Sequence, residues 1–118
     1  MAIAEYLIPC KTPNPTRGSQ GSWRAAAARR KRQRRDAAYL TPRRLRAPCV
    51  VQMTRLSPGE LDDDNLRPAL KSIRDGIADA LGIDDRDPAV RWEYAQARCK
   101  RGDEGVRVRI TNGKDLSP

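Results

Sequence analysis

Three aspartates stand side by side in "LDDDNL", residues 61 to 66, and an asparagine follows them directly. In an extended segment successive side chains point to opposite sides, so Asp62 and Asp64 share a face while Asp63 points away. A D-x-D pair of this kind suits Mg²⁺ or Mn²⁺, because hard cations choose oxygen ligands. Mg²⁺ takes only one or two protein carboxylates and keeps water and phosphate in its other positions. On a phosphodiester such an ion polarises the phosphoryl group and lowers the pKa of a bound water, so hydroxide attacks without a histidine. The chain has no His at all, which removes the usual neutral-pH base and the Ser-His and Cys-His nucleophile pairs.

Three simpler readings compete with a metal site. Asp64 or Asn65 can cap the helix that follows, with the neighbouring acids complementing its dipole. The acids can form a solvated turn, or they can neutralise basic residues elsewhere. One or two acids suffice for a cap, and none of these readings calls for the second cluster, "DDRD" at 84 to 87. Between the clusters lies a helix about 24 Å long. The two groups therefore meet only if the loop after Gly82 folds back or a second subunit contributes. Lys71 follows Asp64 by about 700° of helix and returns to nearly the same side. Its ammonium there can stabilise charge on a leaving oxygen, or it can pair i, i+4 with Asp75.

The elements that must position these residues come from 118 residues, enough for one domain with a single core. Cys10, Cys49 and Cys99 are widely spaced and have no His to complete a zinc set. They read as reduced thiols, with Cys49 in an apolar run buried. No signal-peptide core and no apolar stretch of membrane-spanning length is visible. The expectation is a soluble cytoplasmic protein with no membrane partner.

The formal net charge of +9 is unevenly spread. Up to Arg55 there are 13 basic and 2 acidic residues, net +11, and the remainder is net −2. The densest stretch, "RRKRQRR" at 29 to 35, lies in "SWRAAAARRKRQRRDAAYL" (22 to 40). Good helix formers and Ser22 as an N-cap predict a helix there, against the alternative of a solvated tail. Like charges at one-turn spacing repel, so this helix gains from a polyanion, and nucleic acid is the expected one. Arg29, Arg30, Lys31, Arg32, Arg34, Arg35, Arg43 and Arg44 are the expected phosphate contacts.

Strands are predicted at 2–8 and 49–56, with a Pro- and Gly-rich loop over 9–21. Leu66, Leu70, Ile73, Ile77 and Leu81 line one face of a helix over 66–81, opposite Arg67, Lys71, Arg74, Asp75 and Asp79. This helix starts near Asp64 or Asn65, with Pro68 in its first turn and Gly82 as its stop. Alternation over 89–97 and 106–110, around "KRGDEG", predicts an antiparallel hairpin. The order β-α-β-α-β-β predicts an α/β (α+β) fold, a small mixed sheet packed with two main helices. Residues 1–118 form one domain: an Arg-rich helix and turn (21–46), an acidic core (47–110) and a flexible tail (111–118).

The run "LDDDNLRPALKSIRDGIADALGIDD" (61 to 85) resembles the core of the RusA family of Holliday-junction resolvases, found in phages and prophages. That family carries D-x-D-N-L at a strand-to-helix junction, a lysine and a D-A-L-like segment on the helix, and then an acidic pair. The likeness covers roughly residues 47 to 110. It implies a compact α/β homodimer that nicks branched double-stranded DNA with Mg²⁺, in a bacterial host cell. Asp62 and Asp64 match the first two metal-binding aspartates, and Asp85 matches the third, with Asp84 a close rival. Asp75 matches a helix aspartate whose role is open. The family's lysine position, three residues after the asparagine, holds Pro68 here, and Lys71 lies one turn further on.

Overall fold

Apolar alternation in the strand segments, the apolar stripe from Leu66 to Leu81 and the helix formers of residues 23–40 produce a mixed four-stranded sheet with three helices, an α+β fold. The computed structural model describes residues 2–14 and 23–112. Along the chain run β1 (Ala2–Pro9), α1 (Trp23–Leu40), β2 (Cys49–Ser57), α2 (Asp63–Ala69), α3 (Lys71–Leu81), β3 (Val90–Arg98) and β4 (Gly105–Asn112). The expected cap at Ser22 and residues 113–118 of the expected tail lie outside the described residues. Thr111 and Asn112 belong to β4 rather than to a tail.

Strand order is β1-β4-β2-β3. The expected hairpin of the last two strands is absent. β3 lies parallel to β2, with Val51 opposite Trp92, while β4 runs antiparallel between β1 and β2, with Val108 opposite Tyr6 and Met53. A parallel pair needs a crossover connection, which α2 and α3 supply. Burial explains the choice of neighbours. Val106, Val108 and Ile110 are fully buried, as a central strand requires, whereas much of β3 is half-exposed and suits an edge. Alternation marks both segments as strands but does not say which strands pair.

The apolar faces of α2 and α3 (Leu66, Leu70, Ile73, Ile77, Leu81) close over Ile8, Val51, Met53, Val106, Val108 and Ile110 to make the core, which includes the expected buried Cys49. The single helix expected over 66–81 is two helices that break at Leu70, whose φ of −102° and ψ of 4° are not helical. Its start is also earlier than expected, because Asp62 rather than Asp64 or Asn65 takes the N-cap position. Pro68 is thereby an interior residue of α2. Its missing N–H leaves the Asp64 carbonyl without its helical donor, whereas the Leu70 N–H still reaches the Leu66 carbonyl at 3.2 Å. Leu70 remains fully buried at the break and holds both helices on the core.

Gly82 ends α3 in the left-handed conformation, φ 71°. The Ile83 N–H then reaches back to the Ala78 carbonyl at 3.1 Å, and Ile83 packs against the core. Such a C-terminal turn reverses the chain beside the helix it has just left. Among the described residues no helix is long and apolar enough to cross a membrane.

The basic helix α1 packs mainly along α3. Close approach is possible because α3 presents Gly76, where an added Cβ would lie 2.7 Å from the Ala37 Cβ and closer still to the Arg34 carbonyl oxygen. Both neighbours belong to α1, and one of them is backbone. Gly76→Ala is therefore expected to lower unfolding stability by about 2 kcal/mol, in the range typical of overpacking. Gly59→Ala, which adds its methyl to open space, should leave stability nearly unchanged. Urea unfolding of the two variants beside the parent checks the pair.

Candidate functional site

Trp92, Tyr94 and Gln96 alternate along β3 and so project from the same face of the sheet. Each of the three supports an acidic segment. The Gln96 side-chain amide donates to the Leu61 carbonyl at 2.7 Å, and its oxygen accepts the Leu61 N–H at 2.9 Å. This pins the residue immediately before Asp62. Next along the strand, Tyr94 accepts a hydrogen bond from Arg74 Nη1 at 2.9 Å. The Arg74 guanidinium also lies over Trp92, 4.7 Å from the ring centroid. Held there, Arg74 donates through Nη2 to the Asp85 carbonyl. Tyr94 carries a second cation, Arg67, at 5.1 Å from its ring. Two acidic segments twenty-odd residues apart are thus tethered to successive same-face positions of one strand, about 7 Å apart.

The carboxylates themselves differ sharply in company. Asp62, Asp63 and Asp64 are exposed, and none forms an ion pair or side-chain hydrogen bond with a described residue. Asp62 caps α2 through its backbone carbonyl, which accepts the Asn65 and Leu66 N–H groups at 2.9 and 3.0 Å. The carboxylates are thus not consumed by capping, although the helix dipole still favours them there. Asp85, by contrast, takes an ion pair from Lys71 Nζ at 3.1 Å, and the same ammonium lies 2.6 Å from Asp75. Hydrogen bonding to Lys71 holds the Asp85 carboxyl below its ordinary range. Hydrogen bonding to Asp75, with a smaller part from Asp85, pushes the Lys71 ammonium up. The loop after Gly82 therefore does fold back along α3. It brings Asp85 to Lys71 and Asp75. Among the described residues no three acidic or cysteine side chains form a group that could hold one metal ion, so Asp62 and Asp64 do not join Asp85 in a closed ligand set.

One turn further along the same row of α3, after Lys71 and Asp75, Arg34 of α1 forks onto Asp79 with two bonds of 2.7 and 2.9 Å. A pocket of about 150 Å³ lies there, lined by Arg34, Asp75, Asp79, Asp84 and Asp85 among others. The cationic helix and the acidic segment consequently share a border.

Of the predicted phosphate contacts, Arg30, Lys31, Arg32, Arg35 and Arg43 are exposed, and Arg29 is half-buried. Arg34 is committed to Asp79, Arg35 lies 3.4 Å from Asp36, and Arg44 donates to the Ile3 carbonyl at 3.3 Å. The helical periodicity places Arg74 on the face opposite the apolar stripe. It is instead only 23% exposed, because two aromatics of β3 cover it. Arg74 and Gln96 are the positioning residues that the sequence reading missed. The available signal was the pair of aromatics at alternate positions of "VRWEYAQ", which a cation one strand away can stack on. No known family model matches the chain, and no curated protein matches it.

The Lys71 link carries a pH signature. A carboxyl with a lowered pKa contributes stability above its ordinary value of 3.8, and that contribution is lost as pH falls through the lowered value. An ammonium with a raised pKa contributes below 10.5 and loses its contribution as pH rises through the raised value. The link is therefore intact through the whole neutral range. Lys71→Met is expected to move the Asp85 titration back up toward 3.8, read by carboxyl NMR. In Arg74→Met, the amides of residues 84–87 should exchange at least tenfold faster while those of β4 hold.

Proposed function

We propose that this protein is a divalent-metal-dependent endodeoxyribonuclease that nicks branched double-stranded DNA, as a Holliday-junction resolvase of the RusA type does. The observation that carries this reading is the mounting of both acidic segments on one face of β3, through Gln96 on one side and the Arg74–Tyr94–Trp92 stack on the other. The donor chemistry also fits. Asp62 and Asp64 offer oxygen ligands that no protein cation has claimed, and one or two carboxylates are what Mg²⁺ or Mn²⁺ takes from a protein. When bound, the ion supplies Lewis-acid activation of the phosphate and a water of lowered pKa.

The remaining work falls to the chain's own side chains. Asp62 and Asp64 hold the ion, and Asp85, or Asp84 beside it, approaches from the second segment. Lys71 keeps Asp85 ionised and sets an ammonium where negative charge grows on the phosphate. Exposed Arg30, Lys31, Arg32 and Arg43 hold the DNA backbone by charge without reading sequence. The border between Arg34 and Asp79 puts that grip next to the acids. A homodimer belongs to the same proposal, since two sites related by twofold symmetry match the two equivalent strands of a four-way junction. Ile3 and Leu7, both exposed on β1, are apolar surface that a second copy would cover.

A second reading has its own observation. Lys71 already neutralises Asp75 and Asp85, as salt bridges do in a nucleic-acid-binding protein that cuts nothing.

Incubation with a labelled four-way junction separates the two. Nicking that needs Mg²⁺ or Mn²⁺, and that Asp62→Asn and Asp64→Asn abolish with junction binding unchanged, is the expected result. Tight binding that falls linearly in log salt, ignores chelators and is followed by no cleavage with either metal establishes the second reading instead.

A further inference from the structure

A recess between the end of β1 and α1 has no part in the acidic mount. Its volume is about 270 Å³, and Cys10, Lys11, Arg29, Arg32, Gln33 and Asp36 are among the residues that line it. Positions 29, 32, 33 and 36 fall within about 100° of arc on α1, so they make one stripe of its surface. That stripe meets the chain leaving β1, because Gln33, only 5% exposed, donates through Nε2 to the Lys11 carbonyl at 2.7 Å. Arg29, Arg32 and Lys11 bring three cations to the wall and rim, and none forms an ion pair with a described residue. Asp36 is the acid in the wall. Burial, and then the Asp36 charge, pushes the Cys10 thiol up to about 11, which agrees with that placement. Arg35 lies 3.4 Å from Asp36 and offsets it. Glu104, whose carboxyl is lowered chiefly by backbone hydrogen bonds, feels Lys11 more weakly. The recess thus keeps an excess of positive charge.

We propose that this recess binds the terminal phosphate of a polynucleotide chain, held by Arg29, Arg32 and Lys11. A phosphate monoester has three free oxygens and close to two negative charges, whereas a backbone diester has one charge and two free oxygens. Two guanidiniums and an ammonium around one concavity match the monoester. The recess is also small, since sites for whole small ligands begin at about 300 Å³, so it suits a terminal group rather than a stretch of backbone. The way in is cationic. At 100° per residue, Arg32 lies about 60° from Arg29, Arg35 about 60° beyond it and Lys31 about 40° further. Positive side chains therefore continue from the recess onto the back of α1, away from α3, where Arg32, Arg35 and Lys31 are exposed. A strand lying on that band delivers its end to the recess. A lipid phosphate needs apolar surface beside it for its chains, and this band is charged. The inference shares with the nuclease reading only the premise that α1 faces nucleic acid. It concerns recognition of a broken strand, whether or not this protein broke it.

The test is fluorescence anisotropy in EDTA with the full chain and an oligo(dT) of about twelve nucleotides, labelled on an internal base and carrying a 5′-phosphate, a 3′-phosphate or neither. One phosphorylated form should bind about tenfold tighter than the form with neither, as charge-assisted hydrogen bonds allow. Arg29→Met and Lys11→Met should each bring that ratio down to about twofold or less. Arg43→Met, outside the recess, should weaken every form and keep the ratio. Circular dichroism of Lys11→Met should match the parent because the side chain is exposed, so the result does not hang on how Arg29→Met folds. A parent ratio below about twofold, a ratio that survives both recess variants, or one that Arg43→Met also removes would overturn the proposal. So would displacement of the phosphorylated oligomer by dTMP, or by vesicles containing phosphatidic acid, at equal phosphate concentration. Metal is absent throughout, so a protein that shows the ratio and never cuts a junction upholds the recess and refutes the nuclease, and one that cuts without the ratio does the reverse.

Discussion

The arrangement depends on a stacked arginine. Arg74 sits between the aromatic face of Trp92 and the backbone of Asp85, with the Tyr94 hydroxyl as its third contact. A guanidinium can do this because it is planar, weakly hydrated and carries donors in a fixed fork, so it stacks and hydrogen-bonds at once. A lysine in its place would supply charge without the plane. Because β3 is an edge strand, its inner face is only half covered by core, which leaves room for Arg74 and for the Gln96 clasp on Leu61. The parallel crossover from β2 to β3 then becomes a frame with an acidic segment at each end. Arg74 Nε faces the Asp85 carboxylate at 3.7 Å, beyond hydrogen-bond length, and the buried Trp92 Nε1 has no hydrogen-bond partner among the described residues.

Charge organises the second layer. A helix as basic as α1 repels itself, and its docking relies on geometry more than on burial, since only Gln33 and Ala37 are buried. Gly76 lets the two helices approach, Gln33 ties α1 to the Lys11 carbonyl at 2.7 Å, and Arg34 meets Asp79 as a fork. An exposed pair of this kind adds at most about 1 kcal/mol. Its consequence is mainly positional, because it fixes which flank of α1 borders the acidic pocket.

The sequence revealed the elements far better than their arrangement. The apolar stripe from Leu66 to Leu81 marked the helical face that packs on the sheet, and Gly82 marked its end, because both follow from local periodicity and backbone chemistry. A start near Asp64 or Asn65 puts Pro68 in the first turn, where its missing N–H has no helical partner. The cap at Asp62 places Pro68 in the interior of α2, and the chain leaves helical geometry two residues later, at Leu70. That break undoes the argument that Lys71 returns to the side of Asp64, which assumed one straight helix. The β3–β4 hairpin failed for a different reason, because strand neighbours are set by which strands need burial on both edges. The i, i+4 pair of Lys71 and Asp75 was legible from spacing alone. The second bond, to Asp85, was not, since it depends on the reversal after Gly82. Arg74 looked like a surface cation because no local pattern announces a partner strand.

The central claim is that the two acidic segments on β3 serve one divalent cation at a DNA phosphate. A crystal grown with a four-way junction and Mn²⁺, read by anomalous scattering, tests it most directly. The account predicts a Mn²⁺ peak bonded to Asp62 or Asp64, with Asp85 or Asp84 reaching the same ion directly or through one bound water and a phosphate oxygen completing the shell. A junction seated on α1 with no Mn²⁺ near residues 62–64, or with the ion bound by one segment while the other stays remote in both subunits, would contradict it.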